Sequence, residues 1–114
     1  MRVDEFERKV RTACLTLNLP KARIIQQRVG SIKLRIEFSK DRFIDVYFNE
    51  RTGTMNSALL ENGRRILGIN DYQKRVWHIL PFGETREHIS VKPMRIEEVV
   101  RQYAVFLKKR SSGQ

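Results

Sequence analysis

A chain of 114 residues is the size of one domain, since either half alone would be too small to bury a self-sufficient core. With 40% of its residues hydrophobic and 32% charged it lies in the globular range, which excludes a disordered polar chain, and no apolar run approaches the roughly 18 to 20 residues of a membrane span. The 23 Lys and Arg against 13 Asp and Glu leave a formal net charge of +10, an excess that opposes compaction unless something anionic is nearby.

The first predicted element is a helix, in which Val3, Phe6, Val10, Ala13 and Leu17 recur at helical spacing. Asp4 reads as its N-cap, Glu5 and Glu7 suit the positive end of its dipole, and Asn18-Leu19-Pro20 ends it. The run around Ile24 and Ile25 reads as extended, with Gly30-Ser31 as a turn or bulge. In the clearest strand, Ile32, Leu34, Ile36 and Phe38 alternate with Lys33, Arg35 and Glu37, the period of a half-buried sheet. After a polar turn over 39–42, Ile44, Val46 and Phe48 continue the apolar face, with Asp45 and Tyr47 on the other side. A turn over 49–53 leads to an extended Thr54 to Leu60, then to Asn62-Gly63, the strongest hairpin signal in the chain. Arg64 to Ile69 returns antiparallel, Gly68, Asn70 and Asp71 mark another turn, and Arg75 to Leu80 is a last strand stopped by Pro81.

Residues 81–93 have no periodicity and read as a loop before a final helix, where Ile96, Val99, Val100, Tyr103 and Leu107 form one stripe. Glu97 and Glu98 begin that helix and Lys108, Lys109 and Arg110 end it, as the dipole prefers. Consecutive hairpins flanked by helices predict an α+β fold: a five- or six-stranded antiparallel meander with the N-terminal and C-terminal helices packed on one face. One basic domain over 1–110 and a loose tail over 111–114 account for the chain. The start Met1-Arg2-Val3-Asp4-Glu5 lacks a signal-peptide pattern, and the single Cys14 has no partner for a disulfide or a CxxC metal site; both point to a cytoplasmic protein.

Charge is the feature that points to function. Arginine outnumbers lysine, and its planar fork suits phosphates and base edges, so nucleic acid is the expected partner, RNA ahead of DNA. A basic surface that serves only solubility is the competing explanation; membrane binding is not expected, because neither helix has a wholly basic polar face. Lys33 and Arg35 on a strand face, the pairs Arg64-Arg65 and Lys74-Arg75, and Arg86 are the candidate phosphate contacts, with Trp77 among them as a stacking ring. Trp77 and Tyr47 serve equally well as core residues. The chain has no KH GxxG loop and no aromatic RNA-recognition-motif signature, and it has more strands than a double-stranded-RNA-binding domain.

No phosphate-binding glycine loop, HExxH, paired-cysteine zinc pattern or GxSxG elbow is present. Both histidines fall in the segment from Trp77-His78 through Pro81-Phe82-Gly83 to His88. As a pair, His78 and His88 are candidates for general acid and base at an RNA 2′-hydroxyl and leaving oxygen, with Arg75 or Arg86 steadying the phosphate, in a metal-independent ribonuclease. Alternatively, His78 is a hydrogen-bonded sheet residue and His88 faces water. A metal on His78, His88 and Glu84 or Glu87 lacks a second spaced nitrogen or sulfur ligand, so no metal or other cofactor is expected.

The run from Ser31 to Tyr103 resembles the TumE-like family of small prokaryotic toxin–antitoxin proteins, in which alternating strands lead to an aromatic-His-x-His-Pro-Phe segment, a loop histidine and a C-terminal helix. Trp77, His78, Pro81 and Phe82 match that segment, His88 the loop histidine, and Pro93 to Tyr103 the helix start; Leu80 stands in place of the second histidine. The resemblance implies a toxin acting on RNA or translation and an acidic antitoxin as partner. The alternative carried by the residues alone is a non-catalytic adaptor whose basic surface binds an acidic protein or a ribonucleoprotein.

Overall fold

Strict alternation of apolar and polar residues through the middle of the chain produces one antiparallel sheet. The computed structural model describes residues 1–72, 76–81, 89–91 and 94–112, with side chains over 1–70 and 94–110. Helix α1 (Val3–Thr16) is followed by β1 (Arg23–Arg28), β2 (Ser31–Ser39), β3 (Arg42–Asn49), β4 (Thr54–Glu61), β5 (Arg64–Tyr72), β6 (Val76–Pro81), β7 (Ile89–Val91) and α2 (Ile96–Ser112). The strands neighbour one another in chain order, each antiparallel to the next, so the sheet is a simple meander.

Register makes one face of this sheet apolar. Ile32, Phe48 and Met55 lie side by side across β2, β3 and β4, as do Leu34, Val46 and Ser57, and Ile36, Ile44 and Leu59. Against these rows α1 buries Phe6, Val10, Ala13 and Cys14, and α2 buries Ile96, Val99, Val100 and Tyr103, all in one core. The Phe6 and Phe48 rings stack at 4.9 Å between centroids. Cys14 is a buried core residue, and burial pushes its thiol pKa up, as for a small hydrophobe.

The α+β class, the meander and the two helices on one face are as the sequence predicts; particular boundaries differ. Arg2, not Asp4, occupies the N-cap of α1 and gives no side-chain hydrogen bond. Instead the Val3 N–H donates to Glu50 Oε1 at 3.0 Å, so an orphan donor of the helix is satisfied from the β3–β4 turn. The other end is local: Asn18, at φ 58°, leaves the helix while Leu19 N–H donates to the Cys14 carbonyl at 2.8 Å, a Schellman ending. The Asn62-Gly63 turn has φ of 54° and 78°, the doubly positive geometry of a two-residue hairpin.

Gly68, Asn70 and Asp71, expected in a turn, lie within β5, where Gly68 pairs with Ala58 on one side and Leu80 on the other. Part of the expected 81–93 loop is strand: Pro81 belongs to β6, and β7 pairs with it through Ile89, Ser90 and Val91. This makes seven strands among the described residues. Helix α2 continues through Ser112, into the expected tail. Its end is tied to the sheet by Arg110, which donates to both Glu61 oxygens at 3.0 and 3.1 Å. Glu61 also accepts from Arg42 at 2.9 Å; Arg110 first, then Arg42, holds its carboxyl below the usual carboxylate range. Among the described residues no helix is long and apolar enough to cross a membrane.

Candidate nucleic-acid interface

Both helices lie on one face, none of the described elements covers the other, and the same register that builds the core lines up its polar residues. Gln26, Lys33, Tyr47 and Asn56 form one row across β1 to β4. Arg35, Asp45, Ala58 and Gly68 form the next, and Glu37, Phe43, Leu60 and Arg65 the third. The pattern follows from period two: a residue between two core positions must lie on the opposite side of the pleat.

Asp45 organises the centre of this face. It is buried, at 8% exposure, and accepts from Arg35 Nε at 2.7 Å and Nη2 at 3.0 Å. Such a two-point fork is the strong geometry for an arginine–carboxylate pair. The Arg35 guanidinium also lies 3.8 Å from the Phe43 ring centre, and Lys33 Nζ is 3.9 Å from the second Asp45 oxygen. Arg35 is therefore held as part of the sheet, and one carboxylate offsets part of the charge of two cations expected to meet phosphates.

Beside Asp45 the face opens into a hollow of about 550 Å³. Lys33 and the exposed Arg65 supply its cations, Tyr47, Ala58 and Leu60 its apolar surface, and Gln26, Asn56 and Asn70 its amides. The hollow reaches the place where β4 and β5 part company. Their ladder runs from Glu61–Arg64 to Ala58–Gly68, interrupted by a bulge between Leu59 and Leu60, and beyond Ala58 side chains replace backbone pairing. Ser57 N–H donates to Asn70 Oδ1 at 3.0 Å, Ser57 Oγ donates to the Ile69 carbonyl at 2.6 Å, and Ile69 N–H donates to the Tyr103 hydroxyl at 3.1 Å. Tyr103 and Ser57 are also joined, oxygen to oxygen, at 2.7 Å. Since the Ser57 proton is committed to Ile69, the tyrosine is the donor in that contact. Burial raises the Tyr103 pKa well above its ordinary value, so the hydroxyl keeps its proton.

Of the residues singled out from the sequence, the structure thus brings Lys33, Arg35 and Arg65 to one face, with Lys33 and Arg65 lining the hollow. Arg64 sits at the β4–β5 turn, opposite Glu61. The backbone of His78 pairs with Asn70 on one side and Ser90 on the other, and that of Trp77 with Asp71 and Val91. His78 therefore occupies the register position next to a residue of the hollow. Lys74, Arg75, Arg86 and His88 lie outside the described residues. Gln26, Asp45, Asn56 and Asn70 were not among the candidates, although the strand period already places 45 and 47 on the side of 33 and 35 once the hairpin is drawn.

Fold and hollow together define an antiparallel α+β protein with one helix-covered face and one open polar face. No family model matches the chain, and neither a curated protein nor a solved structure does.

Proposed function

We propose that the protein binds RNA through the open face of its sheet. The observation that carries this reading is the hollow in which Lys33 and Arg65 accompany Tyr47 and three side-chain amides on a face the helices leave uncovered. Cations for phosphates, a ring for base faces and amides for base edges are the set that RNA recognition draws on. The formal net charge of +10 adds long-range attraction for any polyanion.

The TumE-like resemblance extends the reading to a toxin acting on RNA or translation, with an acidic antitoxin that competes for the same face. In that extension His78 and His88 act as acid and base. The position of His78 in the strand beside Asn70 supports the first of these roles.

Binding of a labelled mixed-sequence single-stranded RNA, measured over a salt series, tests the proposal. The expected result is affinity that falls log-linearly with salt. Cleavage of the RNA, lost in His78→Ala with binding retained, is the result expected of the toxin extension. Affinity for an acidic protein but not for RNA at low salt would replace RNA binding with the adaptor function.

A further inference from the structure

We infer that the hollow seats an unpaired base, so that the open face selects single-stranded over double-stranded RNA. This deepens the RNA-binding proposal and rests on it.

The volume of about 550 Å³ falls in the range of small-molecule seats, enough for a nucleotide and far too small for a duplex. Proteins that bind duplex RNA use a different surface, an extended track of contacts to phosphates and 2′-hydroxyls across successive grooves. Here the lining is matched to parts of a nucleotide that a duplex hides. The ring of Tyr47 and the apolar side chains of Ala58 and Leu60 can meet a base face, and the amides of Gln26 and Asn56 a Watson–Crick edge, only where the base is unpaired.

Two groups set the polarity of the seat. Asn70 faces a backbone N–H, so the atom accepting that bond is the amide oxygen, and its Nδ2 is the end left for a ligand. The amide is fixed in orientation by the fold before any ligand arrives. Asp45 has the wrong charge to meet a phosphate but accepts hydrogen bonds, and its Arg35 fork holds it in place while base amino or imino protons approach. Lys33 and Arg65, at the same hollow, then serve the phosphates on either side of the seated base.

The test is fluorescence anisotropy with one labelled 12-nucleotide RNA, offered single-stranded and annealed to its complement at the same salt, to the native protein and to Tyr47→Ala and Asn56→Ala. Asn56 is exposed, so its variant keeps the fold, and melting curves report whether Tyr47→Ala does. The expected result is binding of the single strand at least about tenfold tighter than of the duplex, with that preference reduced about tenfold in Tyr47→Ala and more modestly in Asn56→Ala. Equal, salt-sensitive binding of both forms overturns the base seat and leaves RNA binding intact. Absence of binding to either form overturns RNA binding itself, and the seat with it.

Discussion

Replacing Tyr103 with Ala is expected to cost about 3 to 5 kcal/mol of unfolding free energy, and Tyr103→Phe about 1 to 3 kcal/mol. The first figure is that of truncating a large ring in a packed core, and the Tyr103 side chain is fully buried in the core, with its hydroxyl at β4 and β5. The second isolates the hydroxyl. Without it the Ile69 N–H loses its acceptor, in the place where β4 and β5 no longer pair through their backbones. Ser57 Oγ loses a donor at the same time. A buried unpaired N–H costs more than a hydrogen bond gains, so Phe, nearly isosteric, is still destabilising. Urea denaturation of the three proteins measures both values. Ser57→Ala combined with Tyr103→Phe should cost less than the sum of the two, because both act on the same hydrogen-bond chain. If Tyr103→Phe unfolds at the native midpoint, the hydroxyl does not hold the parted strands.

The second large effect is on binding. Replacing Lys33 and Arg65 together with Ala is expected to weaken single-stranded RNA binding across all sequences by tenfold or more. It should also make the plot of log affinity against log salt shallower by about 1.4, or about 0.7 for each lost phosphate contact on a single strand. Melting temperature should change little: Arg65 is exposed, and Lys33 reaches Asp45 only at 3.9 Å, where Arg35 already provides the close pair. Arg35→Ala is the contrasting control, since it strips the fork from a buried carboxylate and is expected to lower stability directly. Unchanged affinity and slope in the double variant would place the RNA elsewhere on the molecule.

The architecture was legible because period-two and period-3.6 apolar patterns leave little choice of face: Ile32 to Phe38, Ile44 to Phe48 and the stripe through Tyr103 are all found where the spacing puts them. Two of the misjudged places share a cause, a local preference overruled by a distant partner. Gly68 and Asn70 carry turn chemistry, yet Gly68 pairs with strands on both sides and Asn70 uses its side chain to mend the β4–β5 gap. The cap of α1 comes from Glu50, 47 positions away, which no local motif encodes. The site was half legible. Counting cations singled out Lys33, Arg35 and Arg65, which the structure brings to one face, but the pairing of Arg35 with Asp45 needs the hairpin register, and the hollow lies where β4 parts from β5. Tyr103, which reads as one more apolar stripe residue, is the link between helix and hollow, and only its hydroxyl distinguishes it.

The most direct test of the central claim is an NMR titration of the isotopically labelled protein with a short single-stranded RNA. RNA binding by the open face predicts that amide shifts concentrate at Lys33, Asp45, Tyr47, Asn56, Arg65 and Asn70, with the exposed helix positions Arg8, Arg101 and Lys109 unmoved. Shifts that gather instead on the outer surfaces of α1 and α2 would contradict it.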